Sequence, residues 1–182
     1  MTSKLRSRLV LLLLAALFLA PPIGAWLLYR SGWQPQQTRN RGELLQPPID
    51  LGEMRLVRAD DTPYDWEPAA RRWRVVVVPP AACAKECADL VAGLDKVWQL
   101  QGRRADRLDV LWFGAVPEGA VAFRRFVPMQ RSEAFEARLP RLAREGAPNA
   151  YLIDPRGFVA LRYAPGFDVA QLREDVAQLL KH

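Results

Sequence analysis

The fold of this chain is decided by the stretch Arg74-Val75-Val76-Val77-Val78-Pro79-Pro80-Ala81-Ala82-Cys83-Ala84-Lys85-Glu86-Cys87. Its four valines, closed by two prolines, predict a short strand that is buried on both faces. From Cys87 to Gln101 the apolar residues recur every three or four positions, which predicts an amphipathic helix. The stretch therefore predicts a strand, a loop and a helix, with two cysteines where the helix begins.

The residues after this helix continue the alternation of strands and helices. The predicted elements are a strand over 108–114, a loop with a short strand over 115–130, a helix over 132–145 interrupted by Pro140, a strand over 150–154, a turn at 155–157, a strand over 158–163, and a helix over 168–181 with Asp168 as its N-cap. A strand–helix–strand unit favours a right-handed parallel crossover. With two cysteines at the first strand-to-helix loop, the order is that of a thioredoxin-like α/β fold over 69–182, a mixed central sheet flanked by helices.

Composition excludes several classes of protein. The 182 residues include 26 Lys and Arg, 20 Asp and Glu, one His and two Cys, with a formal charge of +6. Two cysteines are too few for a disulfide scaffold, and one histidine disfavours Ser-His-Asp catalysis and multi-histidine zinc sites. Lys4, Arg6 and Arg8 supply half of the excess charge and the remaining arginines are scattered, so no nucleic-acid partner is expected.

The N-terminal segment predicts where the rest of the chain resides. Residues 9–29 carry no charge and are long enough for a transmembrane helix. Residues 1–8 are basic and are expected to stay in the cytoplasm, which places the C-terminal part in the periplasm of a bacterial inner membrane. Pro21-Pro22 leaves a signal peptide cleaved after Gly24-Ala25 as the alternative, and we favour the uncleaved single-pass anchor. Residues 30–68 have turn and extended-chain signals and are interpreted as a linker or extended segment.

The two cysteines and one proline are the candidate site residues. Cys83 stands at a helix N-terminus, where exposed N–H groups stabilise a thiolate, and Cys87 lies one turn further on the same face. Such a pair can form a disulfide or hold Cu(I) between two thiolates. Pro148 precedes the strand 150–154, as the cis-proline of thioredoxin-like proteins does, and is expected to shape a substrate groove facing the cysteines.

Three features together resemble the SCO/SenC family: Cys-x-x-x-Cys at 83–87, Tyr151-Leu152-Ile153-Asp154-Pro155-Arg156-Gly157, and a single N-terminal anchor. The segment from Asn40 to Pro48 is also similar to SCO-like proteins. The resemblance implies a membrane-anchored thioredoxin fold that delivers copper to the CuA centre of cytochrome c oxidase or handles its thiols. Two positions depart from the family. Ala88 replaces the proline that usually follows the second cysteine, and 145–149 lacks the histidine that completes the copper site, since His182 is the only histidine.

Three functions remain open from the sequence. The first is a thiol-disulfide oxidoreductase acting in oxidase biogenesis, with Cys83 as the attacking thiol and Cys87 as the resolving thiol. The second is an assembly factor that binds Cu(I) through both thiolates. The third is a non-catalytic scaffold partner in which the pair is a structural disulfide. No cofactor is required by the first or third function, and the partner is expected to be a respiratory oxidase subunit or an assembly factor.

Overall fold

Four α-helices and eight strands occupy the residues described by this computed structural model, which are 3–32, 40–52, 54–143 and 146–181. The helices are α1 (Ser3–Arg30), α2 (Lys85–Gln99), α3 (Glu133–Glu136) and α4 (Val169–Leu179). The strands are β1 (Glu43–Asp50), β2 (Leu56–Val57), β3 (Pro63–Tyr64), β4 (Trp73–Val78), β5 (Leu108–Phe113), β6 (Phe126–Met129), β7 (Asn149–Ile153) and β8 (Phe158–Tyr163). The chain divides into the units Met1–Arg39 and Asn40–His182.

Helix α1 contains a 26-residue stretch, Leu5–Arg30, that is long and apolar enough to cross a membrane. Its most apolar window has a mean hydropathy of 2.3 and contains no buried residue. Pro21 and Pro22 lie inside the helix, which continues through them to Arg30. The apolar run and the helix therefore coincide, as expected for a membrane-spanning segment.

The Asn40–His182 unit is built on a six-stranded mixed sheet in the order β1-β8-β7-β4-β5-β6. Strand β4 is parallel to β5, and β5 is parallel to β6, which confirms the predicted crossover through α2. Strand β7 is antiparallel to β4, and β8 is antiparallel to β7 and β1. We call the end of the sheet at which β4, β5 and β6 finish the carboxyl end. This arrangement is the predicted thioredoxin-like fold.

Both faces of the sheet are covered, because successive residues of β4 point to opposite sides. Val75 and Val77 belong to the core under α2 and α4, together with Cys87. Val76 and Val78 belong to a second core on the other face, where Phe113 stacks on Phe135 with ring centroids 4.6 Å apart. The four-valine run is buried on both sides, as its lack of alternation predicts.

The structure differs from the sequence interpretation in two segments. The segment 30–68, interpreted as a linker or extended chain, contributes strand β1, which pairs with β8 and forms one edge of the sheet. The helix predicted over 132–145 is only Glu133–Glu136, because Pro140 lacks an N–H and Arg141 adopts a left-handed φ of 49°. The chain 54–72 also folds onto the sheet, where Tyr64 and Trp66 are buried.

A buried charge holds this additional segment to the sheet. Arg74, at the start of β4, is fully buried, and its Nε donates a hydrogen bond of 2.9 Å to the Tyr64 hydroxyl. The Tyr64 hydroxyl donates in turn to the buried Asp109 carboxylate at 2.9 Å. The guanidinium also lies over the Trp66 ring, 4.8 Å from its centroid. A buried guanidinium needs such partners, so the 54–72 segment is an integral part of the fold.

Candidate thiol site

Cys83 and Cys87 form a disulfide at the carboxyl end of the sheet, with their Cα atoms 5.6 Å apart. Strand β4 ends at Val78, and the loop through Pro79-Pro80 carries Cys83 to the start of α2. Cys87 lies in the first turn of that helix, and Cys83 directly precedes its N-cap, Ala84. The structure brings the two predicted site cysteines together.

The two sulfur-bearing residues differ in exposure. Cys87 is 1% exposed and is part of the core under α2. Cys83 packs against the rim of that core and is only partly buried. An attacking thiolate can reach only a sulfur atom that is accessible from solvent. Cys83 is therefore the accessible member of the pair.

The N-terminus of α2 is open around these sulfur atoms. Its N-cap residue, Ala84, has no side-chain acceptor, and the backbone carbonyl of Ala84 accepts its bond from Ala88 N–H at 3.1 Å. The preceding N–H groups of the first turn point toward the loop that contains Cys83. These groups and the helix dipole favour a thiolate at this position.

Lys85, between the cysteines, is engaged by a different group. Its ammonium donates a 2.6 Å hydrogen bond to the Asp89 carboxylate one turn later, and this bond raises the pKa of Lys85. Both side chains are exposed to solvent. The Lys85 charge is therefore shared with Asp89.

Pro148 lies at the same end of the sheet as the cysteines. It immediately precedes β7, whose first residue, Asn149, pairs with Val78 at the end of β4. Pro148 is buried, and the Ala147–Pro148 bond is trans, since Gln46–Pro47 is the only cis peptide bond among the described residues. The order along the chain thus predicts the neighbourhood of Pro148, and the isomer differs from that of a thioredoxin cis-proline.

A groove of about 320 Å³ runs between the cysteine helix and the Pro148 loop. One wall is formed by Glu86, Asp89 and Leu90 of α2. The opposite wall contains Ala147 and Pro148, and the floor is closed by Gly166, Phe167 and Val169 before and within α4. The groove is lined by Glu86, which lies between the two cysteines in sequence, so it lies beside the first turn of α2. Its apolar surface suits the side chains that flank a cysteine in a polypeptide.

Asn149 holds the Pro148 loop in place, and nothing in the sequence pattern singled it out. Its fully buried side-chain amide donates a 2.8 Å hydrogen bond to the Ala143 carbonyl and accepts a 3.3 Å hydrogen bond from the Ala143 N–H. The Tyr151 hydroxyl adds a 2.9 Å bond to the Pro140 carbonyl. A buried amide that is satisfied in this way fixes a loop. The one feature of the sequence that could have indicated this role is the position of Asn149, directly after a proline and at the start of a strand.

Arg131 holds the other side of the cysteine loop, and it too was missed by sequence reasoning. It donates a 3.0 Å hydrogen bond to the Pro79 carbonyl, directly after β4. Its Nε and Nη2 atoms donate to the buried Glu136 carboxylate at 2.9 and 3.2 Å. The bidentate pair orients the guanidinium. The start of the cysteine loop is therefore fixed to the segment after β6.

The residues described here do not fit the Cys-Cys-His copper site implied by the SCO/SenC resemblance. Within 3–32, 40–52, 54–143 and 146–181, no group of three or more His, Cys, Asp and Glu side chains could hold a metal ion. His182 lies outside the described residues. The soft donors near the groove are thus the two cysteine sulfur atoms.

Solved structures with the same fold include both SCO-type and peroxide-reducing proteins. BsSco, described as a member of the Sco family of cytochrome c oxidase assembly proteins, is 12% identical, with a TM-score of 0.56 over 77% of this chain and 97% of its own. A SCO1/SenC family lipoprotein from Bacillus anthracis is 16% identical, with a TM-score of 0.55 over 75% and 97%. The bacterioferritin comigratory protein of Xanthomonas campestris, studied for alkyl peroxide reduction, is 18% identical, with a TM-score of 0.52 over 76% and 94%.

These similarities confirm the SCO-like thioredoxin fold that the sequence predicted, and at these identities they concern the fold alone. No curated protein matches the sequence. The family described as transmembrane-like, thioredoxin-like, C-terminal domain matches residues 73–182. This range begins with β4 and contains both cysteines, Pro148 and the groove. The chain belongs to this transmembrane-like, thioredoxin-like family.

Proposed function

We propose that this chain is a membrane-anchored thiol-disulfide exchange protein that acts outside the cytoplasm on cysteines of a respiratory oxidase subunit or its assembly partner. The observation that carries the exchange chemistry is the unequal exposure of the two cysteines in the Cys83–Cys87 disulfide. An apolar groove lies beside the first turn of α2, which contains Cys87. The apolar helix α1 supports the anchor, with residues 1–8 in the cytoplasm and 69–182 in the periplasm. The oxidase role follows from the SCO-like sequence features.

In the proposed reaction, the reduced protein transfers two electrons to a disulfide of its target. The Cys83 thiolate attacks one target sulfur, the target S–S bond breaks, and the second target sulfur leaves as a thiolate. Cys87 then loses its proton to solvent and attacks the Cys83 sulfur. This step releases the first target thiolate and forms the Cys83–Cys87 disulfide. A dithiol donor must reduce this disulfide before the next turnover.

The geometry supports this order of attack. Cys83 is partly exposed, whereas Cys87 is buried and bonded to the Cys83 sulfur. The free N–H groups at the start of α2 lower the free energy of the Cys83 thiolate. Pro148 and Phe167 offer apolar contacts to the residues that flank the target cysteine.

Mixed-disulfide trapping in the full chain, solubilised in detergent micelles, tests the assignment. Cys87→Ser, reduced with dithiothreitol and then desalted, is expected to accumulate a stable mixed disulfide with a peptide disulfide, since it retains the attacking thiol. Cys83→Ser is expected to form at least tenfold less of this mixed disulfide. Equal trapping by both variants would contradict the assigned roles, and no trapping by either would favour a structural disulfide.

Equilibration with glutathione buffers separates exchange from a purely structural disulfide. We expect a reversible two-electron couple in the range of known oxidoreductases, between about −120 and −270 mV. A couple below about −300 mV is typical of structural disulfides in secreted proteins. For the oxidase role, membranes of cells that produce the double Cys→Ser chain are expected to lose cytochrome c oxidase activity while keeping the protein itself.

Cu(I) binding is the second candidate function, because reduction of the disulfide leaves two soft thiolates next to each other. Titration of the reduced chain with Cu(I), against a chromogenic chelator, tests it. Tight binding of one Cu(I) that is lost in the double Cys→Ser variant would establish copper handling. Weak binding that the chelator removes, together with a reversible thiol couple, would leave exchange as the function.

A further inference from the structure

A second hollow adjoins the groove beside the cysteines. It encloses about 360 Å³ between Arg41, Gly42 and Glu43 on one side and Arg162 and Tyr163 at the end of β8 on the other. The two hollows share Gly166 and Phe167. They therefore adjoin at the turn between β8 and α4, and we call the two hollows together the trough.

We propose that this trough binds an extended polypeptide segment of the partner, with the reactive cysteine in the first hollow and an acidic side chain in the second. The inference rests on the proposed thiol exchange and adds to it a substrate class. That class is a cysteine in a polypeptide with a carboxylate several residues away, rather than a small-molecule thiol or peroxide.

The spacing of the strands sets the length of the segment. From β4, which leads to the cysteines, the sheet passes through β7 and β8 to β1, where the second hollow lies. Three steps at about 4.8 Å each amount to about 14 Å, and an extended chain advances about 3.3 Å per residue. The carboxylate is therefore expected about four residues from the cysteine. A single amino acid is too short to place its thiol and its carboxylate in the two hollows at once.

The second hollow has an excess of positive charge. The Arg162 guanidinium lies 3.3 Å from the Glu43 carboxylate and donates a hydrogen bond to it. Arg141 pairs with the same carboxylate and lowers the pKa of Glu43. Arg41 pairs with Glu174 at 2.9 Å. Of the charged residues that line the hollow, two are arginines, Arg41 and Arg162, and one is a glutamate, Glu43. The Arg41 side chain is 60% exposed and that of Glu174 49%, and such surface pairs contribute about 0–1 kcal/mol. A partner carboxylate can therefore replace Glu174 as the ion-pair partner of Arg41 at a small cost in free energy.

The backbone under Arg41 is fixed, so the arginine is presented from a rigid base. Asp175, 1% exposed, accepts hydrogen bonds from the N–H groups of Arg41 at 2.9 Å and Gly42 at 2.8 Å. It also accepts one from the Tyr163 hydroxyl at 2.7 Å. A cation held at a fixed place loses less conformational entropy when it binds a carboxylate. The hollow is therefore preorganised for an anionic side chain.

Three synthetic peptides test the inference with the full chain in detergent micelles. Each carries one cysteine as a mixed disulfide with 5-thio-2-nitrobenzoate and differs only in the residues four positions before and after it, which are Asp, Asn or Lys. The reduced protein attacks the peptide sulfur, and thionitrobenzoate leaves with the electron pair. Cys87 then displaces the peptide thiol and the Cys83–Cys87 disulfide forms. Absorbance of thionitrobenzoate measures the second-order rate constant.

We expect the Asp peptide to react at least fivefold faster than the Asn peptide, and the Lys peptide more slowly, at low ionic strength. Arg41→Glu is expected to abolish this preference and Arg41→Gln to reduce it. The control is Arg103→Glu, an equal charge change on an exposed residue before β5, at the opposite end of the sheet. It is expected to keep most of the preference.

The outcomes separate this inference from the proposed function. If all three peptides react at one rate, or if Arg41→Glu and Arg103→Glu lower the preference equally, the acidic-segment inference is wrong and thiol exchange stands. If the wild-type chain releases no thionitrobenzoate from any peptide, thiol exchange fails and the inference fails with it. Thermal unfolding of each variant confirms that the rates compare folded proteins.

Discussion

The backbone N–H of Gly42 donates a 2.8 Å hydrogen bond to the carboxylate of Asp175, 133 residues later in the chain. Gly42 also lies against the Tyr163 ring, so closely that a Cβ atom there would stand 2.7 Å from Cζ. Since the Tyr163 hydroxyl donates to the same carboxylate, the ring has no freedom to withdraw. This one buried acid therefore joins the first residues of the Asn40–His182 unit to β8 and to the last helix.

Replacement of Asp175 by asparagine is expected to lower the free energy of unfolding by about 2–4 kcal/mol. The amide offers one acceptor oxygen where the carboxylate has two, and its NH2 group faces donors in a buried place. Urea denaturation measures the loss. Glu174→Gln is the matched control because Glu174 is exposed and pairs with the exposed Arg41 side chain. Its expected effect is below about 1 kcal/mol. Equal effects would contradict the role of Asp175.

Gly157 is expected to tolerate alanine far less well than Gly119. Both glycines have positive φ, 100° and 78°, and an L-residue is strained at each. At Gly157 an added Cβ would also stand 2.5 Å from the Cα atom of Gly52, whereas Gly119 has nothing within 4 Å. We expect losses of at least about 3 kcal/mol for Gly157→Ala and about 1 kcal/mol for Gly119→Ala. Thermal unfolding of the two variants measures the difference in stability. Similar losses would show that the close approach of Gly157 to the Gly52 backbone adds nothing to the cost of the alanine.

Alkaline pH is expected to destabilise the protein through two buried tyrosines. Burial is the main cause that raises the pKa of Tyr64 and of Tyr163 above the ordinary value of 10.0, and the carboxylates of Asp109 and Asp175 add to it. Below pH 10 both the folded and the unfolded state hold these protons. Above it the unfolded chain releases them while the folded protein keeps them, so the free energy of unfolding falls as pH rises.

The slope of this loss is at most about 1.4 kcal/mol per pH unit for each tyrosine. Urea denaturation between pH 9 and pH 11.5 measures it, with tyrosinate absorbance as a second readout. Tyr163→Phe is expected to lower stability at pH 8, because a hydrogen bond to Asp175 is lost, but also to make the slope above pH 10 shallower by one proton. A slope that is the same in both proteins would show that Tyr163 ionises freely in the folded state.

Pro148→Ala is expected to slow exchange with a peptide disulfide several-fold and to leave reduction of Cys83–Cys87 by dithiothreitol unchanged. The peptide must lie along the groove wall that Pro148 forms, whereas the small dithiol needs only the exposed side of Cys83. Pro68→Ala, at an exposed position of the 54–72 segment, is the control. If both reactions slow to the same extent, Pro148 acts on the disulfide itself and not on the peptide.

Much of the sheet could be predicted from local sequence. The run Val75-Val76-Val77-Val78 and the apolar strand at 108–113 are each buried on both faces, so composition alone identifies them. Asp168 caps α4 through a 2.8 Å bond to the Ala170 N–H, which its residue type predicts. The Cys-x-x-x-Cys spacing likewise predicts that the two cysteines can form a disulfide at the start of α2. These features depend on residues that are near one another in the chain.

The features that give the site its shape depend on residues far apart in the chain, and no local pattern reports them. Residues 43–50 have no apolar alternation, and they become β1 because β8 offers them a free edge with which to pair. The buried charge of Arg74 is stable only because Tyr64 and Trp66 fold back over it. Local sequence therefore predicts the central strands, helices α2 and α4 and the position of the cysteines. The partial exposure of Cys83, the burial of Cys87 and the place of Arg41 beside the turn before α4 depend on the tertiary structure, because they follow from which surfaces pack together in the folded protein.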